Sequence, residues 1–216
     1  MNLPGPAAQA LYLDIGWAIV LAGLGLALLG RRAERRGVLI GVCAAAAIGV
    51  SLPAPWSLSF WLGMAFQYPS ATLVALAGLK LVRQLRPAAE ADASPLLSLL
   101  PAATLCALAA VLYAGAFAFV PYDPYGVGYL RFSGAAIATV LVLLWWALDR
   151  RSAASCGAIA VAAALHAATR LPSGNAWDAL LDPFLVAWAA FVVLCAVRDR
   201  LGRPSPVTRA DYGVIR

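Results

Sequence analysis

Acidic side chains are scarce in this chain, ten in 216 residues, and histidine occurs once. A lone histidine, His166, excludes a b-type haem held by paired histidines and leaves a proton relay with few partners. No apolar stretch carries the several buried carboxylates that a strongly proton- or sodium-coupled pump needs. The four cysteines, Cys43, Cys106, Cys156 and Cys195, lie inside apolar stretches and never form C-x-x-C, which argues against a disulfide framework or a zinc site. They read as small buried hydrophobes. The chain also lacks G-x-S-x-G, H-E-x-x-H, a Walker loop and a G-x-G-x-x-G ahead of a soluble helix. No cofactor or metal is expected.

What is present is apolar residue, at 63% of the chain, with a mean hydropathy of +0.83. Such usage lies far outside that of soluble domains. A helix needs roughly 20 residues to cross a hydrocarbon core of about 30 Å. Apolar segments at about 11–30, 37–52, 68–83, 96–119, 132–148, 155–169 and 183–197 therefore predict an all-α membrane protein with seven spans. The apolar stretch 57–67, SLSFWLGMAFQ, is too short to cross and is expected to be interfacial or re-entrant. No polar stretch is long enough for a separate soluble domain, so residues 1–216 read as one membrane domain ending in a tail at 198–216. Met1 to Ala10 carry no Lys or Arg, and no small-x-small site follows the first apolar stretch, so a cleaved signal peptide is not expected.

Charge orients the spans. Of sixteen Lys and Arg residues, fourteen fall on one side of this reading: four after the first span, three after the third, two after the fifth and five after the seventh. Only Arg131 and Arg170 fall on the other. Because cytoplasmic loops collect the cations, the N-terminus is expected outside and the C-terminus inside. The net charge of +6 then orients the chain and does not imply nucleic acid as a partner. The expected partners are the lipid bilayer and another membrane protein. A six-span path would put the clusters at Arg31–Arg36 and Lys80–Arg86 on opposite faces or strand charge in lipid. Abundant Ala, Leu, Gly and Arg suggest a GC-rich bacterial genome, and hence the inner membrane.

A faint internal repeat is visible. Sliding Gly16 onto Gly134, an offset of 118, aligns the first span with the fifth, Arg32 with Arg150, and Ala44–Ala46 with Ala162–Ala164. The arms beginning Tyr68-Pro69 and Asp182-Pro183 match at an offset near 114. The resulting three-plus-one-plus-three layout resembles the parallel-repeat arrangement of the SWEET and PQ-loop transporters. Their paired Pro-Gln signature is absent from this chain, and the topological resemblance transfers no activity.

The two outer loops hold most polar side chains that are not helix-end cations. One offers Tyr122, Asp123, Tyr125, Tyr129 and Arg131; the other offers Asn175, Trp177, Asp178 and Asp182. If they meet, three carboxylates and two arginines converge beside aromatic faces, which suits a cation, an amine or a sugar-like solute. The alternative is turn chemistry with an aromatic belt, and Asp182 before Pro183 is a natural helix N-cap. Asp178 and Asp182, four apart, would share a face of a short helix. His166 and Arg170 are also four apart near the outer end of the sixth span. Asp14 is expected to sit at the interface or to pair with Arg131 or Arg170. Gln67, Tyr68 and Ser70 would add hydrogen bonds at the same mouth.

Three functions follow from this pattern. The first is a non-catalytic accessory or assembly subunit, which needs a lipid-facing groove or a flat small-residue face. The second is a small-solute facilitator, which needs a polar path past mid-membrane. The third is an envelope enzyme on a lipid-linked or periplasmic substrate, which needs Asp123 near Asp178 or Asp182 in a closed pocket.

Overall fold

In the computed structural model, residues 3–86, 94–130 and 132–201 are described, apart from the side chains of Arg31 and Glu34. Among them every regular element is helical. Helix α1, Pro6–Leu29, starts with a proline in its first turn, where the missing N–H costs nothing, and stops at Gly30 with φ +52°. A 3-10 turn, Gly30–Glu34, leads to α2, Arg36–Ser51, which ends where Leu52 is held extended by Pro53. Ser57 caps α3, Leu58–Phe66, by accepting the Phe60 N–H. Ser70 likewise caps α4, Ala71–Leu85, through the Leu73 N–H.

Helix α5 spans Leu99–Ala116 and α6 spans Ser133–Leu148. A 3-10 turn, Arg150–Ser152, joins α6 to α7, Ala153–Thr169, which closes on Arg170 in the left-handed conformation. The short α8, Ala176–Leu180, is capped by Asn175, and α9 runs Pro183–Leu201. Two boundaries differ from the sequence expectation by more than three residues. Helix α1 begins at Pro6, before Leu11, because proline and alanine extend it outward. Helix α9 continues past Val197 to Leu201, since Arg198 and Arg200 in a last turn favour the helix dipole. The remainder of the expected tail lies outside the described residues.

Helix α4 sits between α1 and α7; α2 packs on α1, α6 on α7, and α5 on α9. The shared core is apolar, with Trp17, Leu76, Leu105, Trp145, Ile159 and Leu185 almost fully buried. Many large apolar side chains point outward instead, among them Leu28, Ile40, Leu143 and Phe191. Helices apolar on every side bury themselves in protein or in lipid. Three of them, Pro6–Leu29, Leu99–Ala116 and the stretch Arg150–Thr169, are long and apolar enough to cross a membrane.

The internal repeat does not extend through the packing. The α1–α2 pair has its counterpart in α6–α7, but α4 packs on α1 whereas α9 packs on α5, and α6 with α9 is not among the closely packed pairs. Ala-rich arms align in sequence without dictating which neighbour they choose.

Side-chain hydrogen bonds tie the loops into two sets. At one end Gln9 reaches the Pro172 carbonyl (3.3 Å), Tyr12 the Pro69 carbonyl (2.8 Å) and Ser70 the Asp182 carboxylate (2.7 Å). At the other end Ser98 donates to Asp149 (2.9 Å), Ser155 to the Leu96 carbonyl (3.0 Å) and Arg83 to the Ser94 carbonyl (2.7 Å). The first set holds the proline-rich loops, and the second holds the helix ends rich in arginine.

Candidate functional site

The two proline-rich loops touch directly. The Tyr125 hydroxyl donates to the Asp178 carboxylate, 2.7 Å from Oδ1 and 2.8 Å from Oδ2. Ser173 donates to the same carboxylate. Asn175 Nδ2 donates to the Tyr125 carbonyl (3.2 Å), and Trp177 Nε1 donates to the Pro124 carbonyl (3.0 Å). Burial, and then the bond to Asp178, push the Tyr125 phenol above its usual pKa.

Small residues permit the contact. A Cβ on Gly128 would lie 1.8 Å from Asn175 Oδ1 and 2.7 Å from the Trp177 ring, so only glycine fits where the turn Gly126–Tyr129 meets α8. Asn175 is fully buried there, and its Oδ1 also accepts the Trp177 N–H (2.9 Å) as the α8 cap.

Asp182, also buried, serves two helices. Its Oδ1 accepts the Phe184 and Leu185 N–H groups (2.8 and 2.9 Å), capping α9 as the Asp-Pro pair suggests. Its Oδ2 accepts the Ser70 N–H (2.7 Å) at the start of α4. One carboxylate thereby satisfies donors at two helix starts, where a negative charge is favoured.

The expected convergence of carboxylates with arginines does not occur among the described residues. Arg170 forms no ion pair with a described carboxylate; its guanidinium lies 3.3 Å from His166 Nε2. Guanidinium can only donate, so Nε2 accepts, and the Nδ1–H donates to the Leu171 carbonyl (3.3 Å). His166 is therefore a satisfied neutral imidazole between α7 and its following loop. Arg131 lies outside the described residues.

Asp14 forms no ion pair with Arg170: Ser59 donates to its Oδ1 at 2.5 Å, and Ser59 is itself linked to Ser57 (2.8 Å). The short helix α3 packs on α1 and supplies this hydroxyl. Asp123 turns back to accept the Tyr125 N–H (3.0 Å) in an exposed turn, and Tyr122 is exposed. Neither Asp123 nor Tyr122 hydrogen-bonds to the other described polar side chains of the mouth.

A small cavity of about 80 Å³ remains at this end, lined by Phe66, Gln67, Tyr68, Asp178, Leu181 and Asp182 together with Pro183. It has room for a few waters and falls well short of the roughly 300 Å³ at which small-molecule sites begin. No group of three His, Cys, Asp or Glu side chains suited to a metal occurs among the described residues. Sequence reasoning missed Ser173 and Ser59, the two hydroxyls that satisfy Asp178 and Asp14. A serine two residues before an Asn N-cap is a weak signal for Ser173, and nothing local marks Ser59. Compared with known protein families, characterised proteins and solved structures, the chain matches none of them.

Proposed function

We propose that this chain is a single-domain, seven-span protein of a bacterial cytoplasmic membrane, N-terminus outside and C-terminus inside, acting as a non-catalytic accessory or assembly subunit. Helices α1, α2, α4, α5, α6, α7 and α9 are the spans, and α3 and α8 lie at the outer surface. Arg32, Arg35, Arg36, Arg150, Arg151, Arg198 and Arg200 gather on the cytoplasmic side under the positive-inside rule.

The observation that carries the functional reading is the open face of α2. Gly37, Gly41 and Ala45, spaced by four, are exposed, and a Cβ on either glycine would touch nothing. Small residues at this spacing let a second transmembrane helix approach closely. Asn175, Asp178 and Asp182 support the same reading, because their hydrogen bonds hold loops and helix starts together.

The test is co-purification in mild detergent from native membranes, comparing the wild type with Gly41→Leu. The reading expects a stoichiometric membrane-protein partner that Gly41→Leu releases while the variant stays in the membrane at normal levels. Absence of a stoichiometric partner, or a partner indifferent to Gly41→Leu, overturns it.

A further inference from the structure

A second surface feature lies on the opposite pair of helices. Between α6 and α7 runs an open apolar groove of about 340 Å³, walled by Thr139 and Leu143 of α6 and floored by Ala160, Ala164 and Ala167 of α7. Exposed Ala153 and Gly157 continue the floor toward the arginine-rich end, where a Cβ on Gly157 would meet nothing. On α6, Trp146 follows Leu143 by three residues, so it stands on the same face, half-exposed.

Two cations follow along the chain beyond the Leu143 end of the groove's lining. The Arg150 guanidinium lies over the Trp146 ring, 5.1 Å from its centroid, and Arg151 follows it. Both arginines are exposed, and no described carboxylate lies within ion-pair distance of either. Asp149 forms no ion pair with either: its Oδ2 takes the Ser98 hydroxyl (2.9 Å) and its Oδ1 the Arg151 N–H (2.9 Å).

We propose that this groove seats one acyl chain of an anionic phospholipid, with Arg150 and Arg151 holding its phosphate at the inner leaflet. The inference rests on the membrane topology proposed above. Charge complementarity selects the occupant: a paired cationic head above an apolar slot repeats the lipid's own division between headgroup and chain. Guanidinium forks suit phosphate oxygens. The dimensions agree: from Ala135, the far end of the groove's lining, to Leu148, where α6 stops short of the arginines, is about 20 Å of helix, close to half of a bilayer of about 40 Å with its headgroups.

The experiment is native mass spectrometry of the full chain in mild detergent, titrated with dioleoyl phosphatidylglycerol or dioleoyl phosphatidylcholine. The expected result is one tightly held phosphatidylglycerol, with R150Q/R151Q weakening it roughly 25-fold, at fivefold per arginine. Ala164→Leu, which fills the groove and leaves both arginines, should also weaken it. R150K/R151K, which keeps the charge, should retain part of the affinity, and circular dichroism checks that each variant stays helical. Equal affinity for the two lipids overturns the proposal. So does R150Q/R151Q behaving as wild type, or R32Q/R35Q causing the same loss, which would mean a diffuse basic surface. Failure here with the Arg150 loop still labelled from the cytoplasmic side leaves the topology standing.

Discussion

The Asp182 carboxylate accepts the backbone N–H of Ser70 at 2.7 Å, joining the start of α4 to the start of α9 across 112 positions of chain. Because the same side chain caps α9, its loss strands donors at two buried helix starts. Asp182→Ala is expected to destabilise the protein by about 2–4 kcal/mol, combining a lost cap with a lost bond to a charged group. Asp182→Asn keeps an acceptor oxygen and should give an intermediate loss. Thermal unfolding in detergent, followed by circular dichroism, measures both; an Asp182→Ala variant within about 0.5 kcal/mol of wild type would contradict the assignment.

The Tyr125–Asp178 bond makes a prediction in alkali. Tyr125 is held above its ordinary pKa by burial and by Asp178, so the folded state keeps a proton that the unfolded chain releases above about pH 10. Its contribution to stability is fully present below that pH and is lost as the pH climbs beyond it. Melting curves between pH 8 and 11 should show an alkaline loss that Tyr125→Phe reduces. An identical alkaline slope in the variant would show that Tyr125 is not among the groups responsible.

Gly128 supplies the close approach between the two loops. In Gly128→Ala the added methyl would fall 1.8 Å from Asn175 Oδ1, so the turn and α8 must separate. The expected cost is about 1–3 kcal/mol, the usual range for overpacking. Limited proteolysis from the outer side should then cut the 117–132 loop faster than in wild type, and unchanged cleavage would rule the contact out.

Local features of the fold were legible in the chain, and lateral ones were not. The Asp182–Pro183 cap and the stop at Pro53 follow from the chemistry of a few adjacent residues, and the start expected at Tyr68-Pro69-Ser70 lies at Ala71, because Ser70 serves as the cap and Pro69 precedes it. Which helix faces meet does not, because α1 and α5 are apolar on every side and carry no stripe to name a neighbour. For that reason Asp14 looked free to reach Arg131 or Arg170, whereas α3 brings Ser59 to it. Arg170 looked like the partner of an acid, whereas the left-handed turn at its own backbone returns it to His166. The polar mouth was visible as a set of residue types, but its use as a clasp depends on 50-residue separations that no local pattern encodes.

Site-directed cysteine labelling reads the path of the chain through the membrane. With Cys43, Cys106, Cys156 and Cys195 replaced by alanine, single cysteines at Tyr122, Ser173, Arg32 and Ser94 report the two sides. A membrane-impermeant maleimide is expected to label positions 122 and 173 in intact cells, and positions 32 and 94 only after the membrane is opened. Labelling of 32 and 94 on different sides, or of 122 and 173 only from within, would overturn this path.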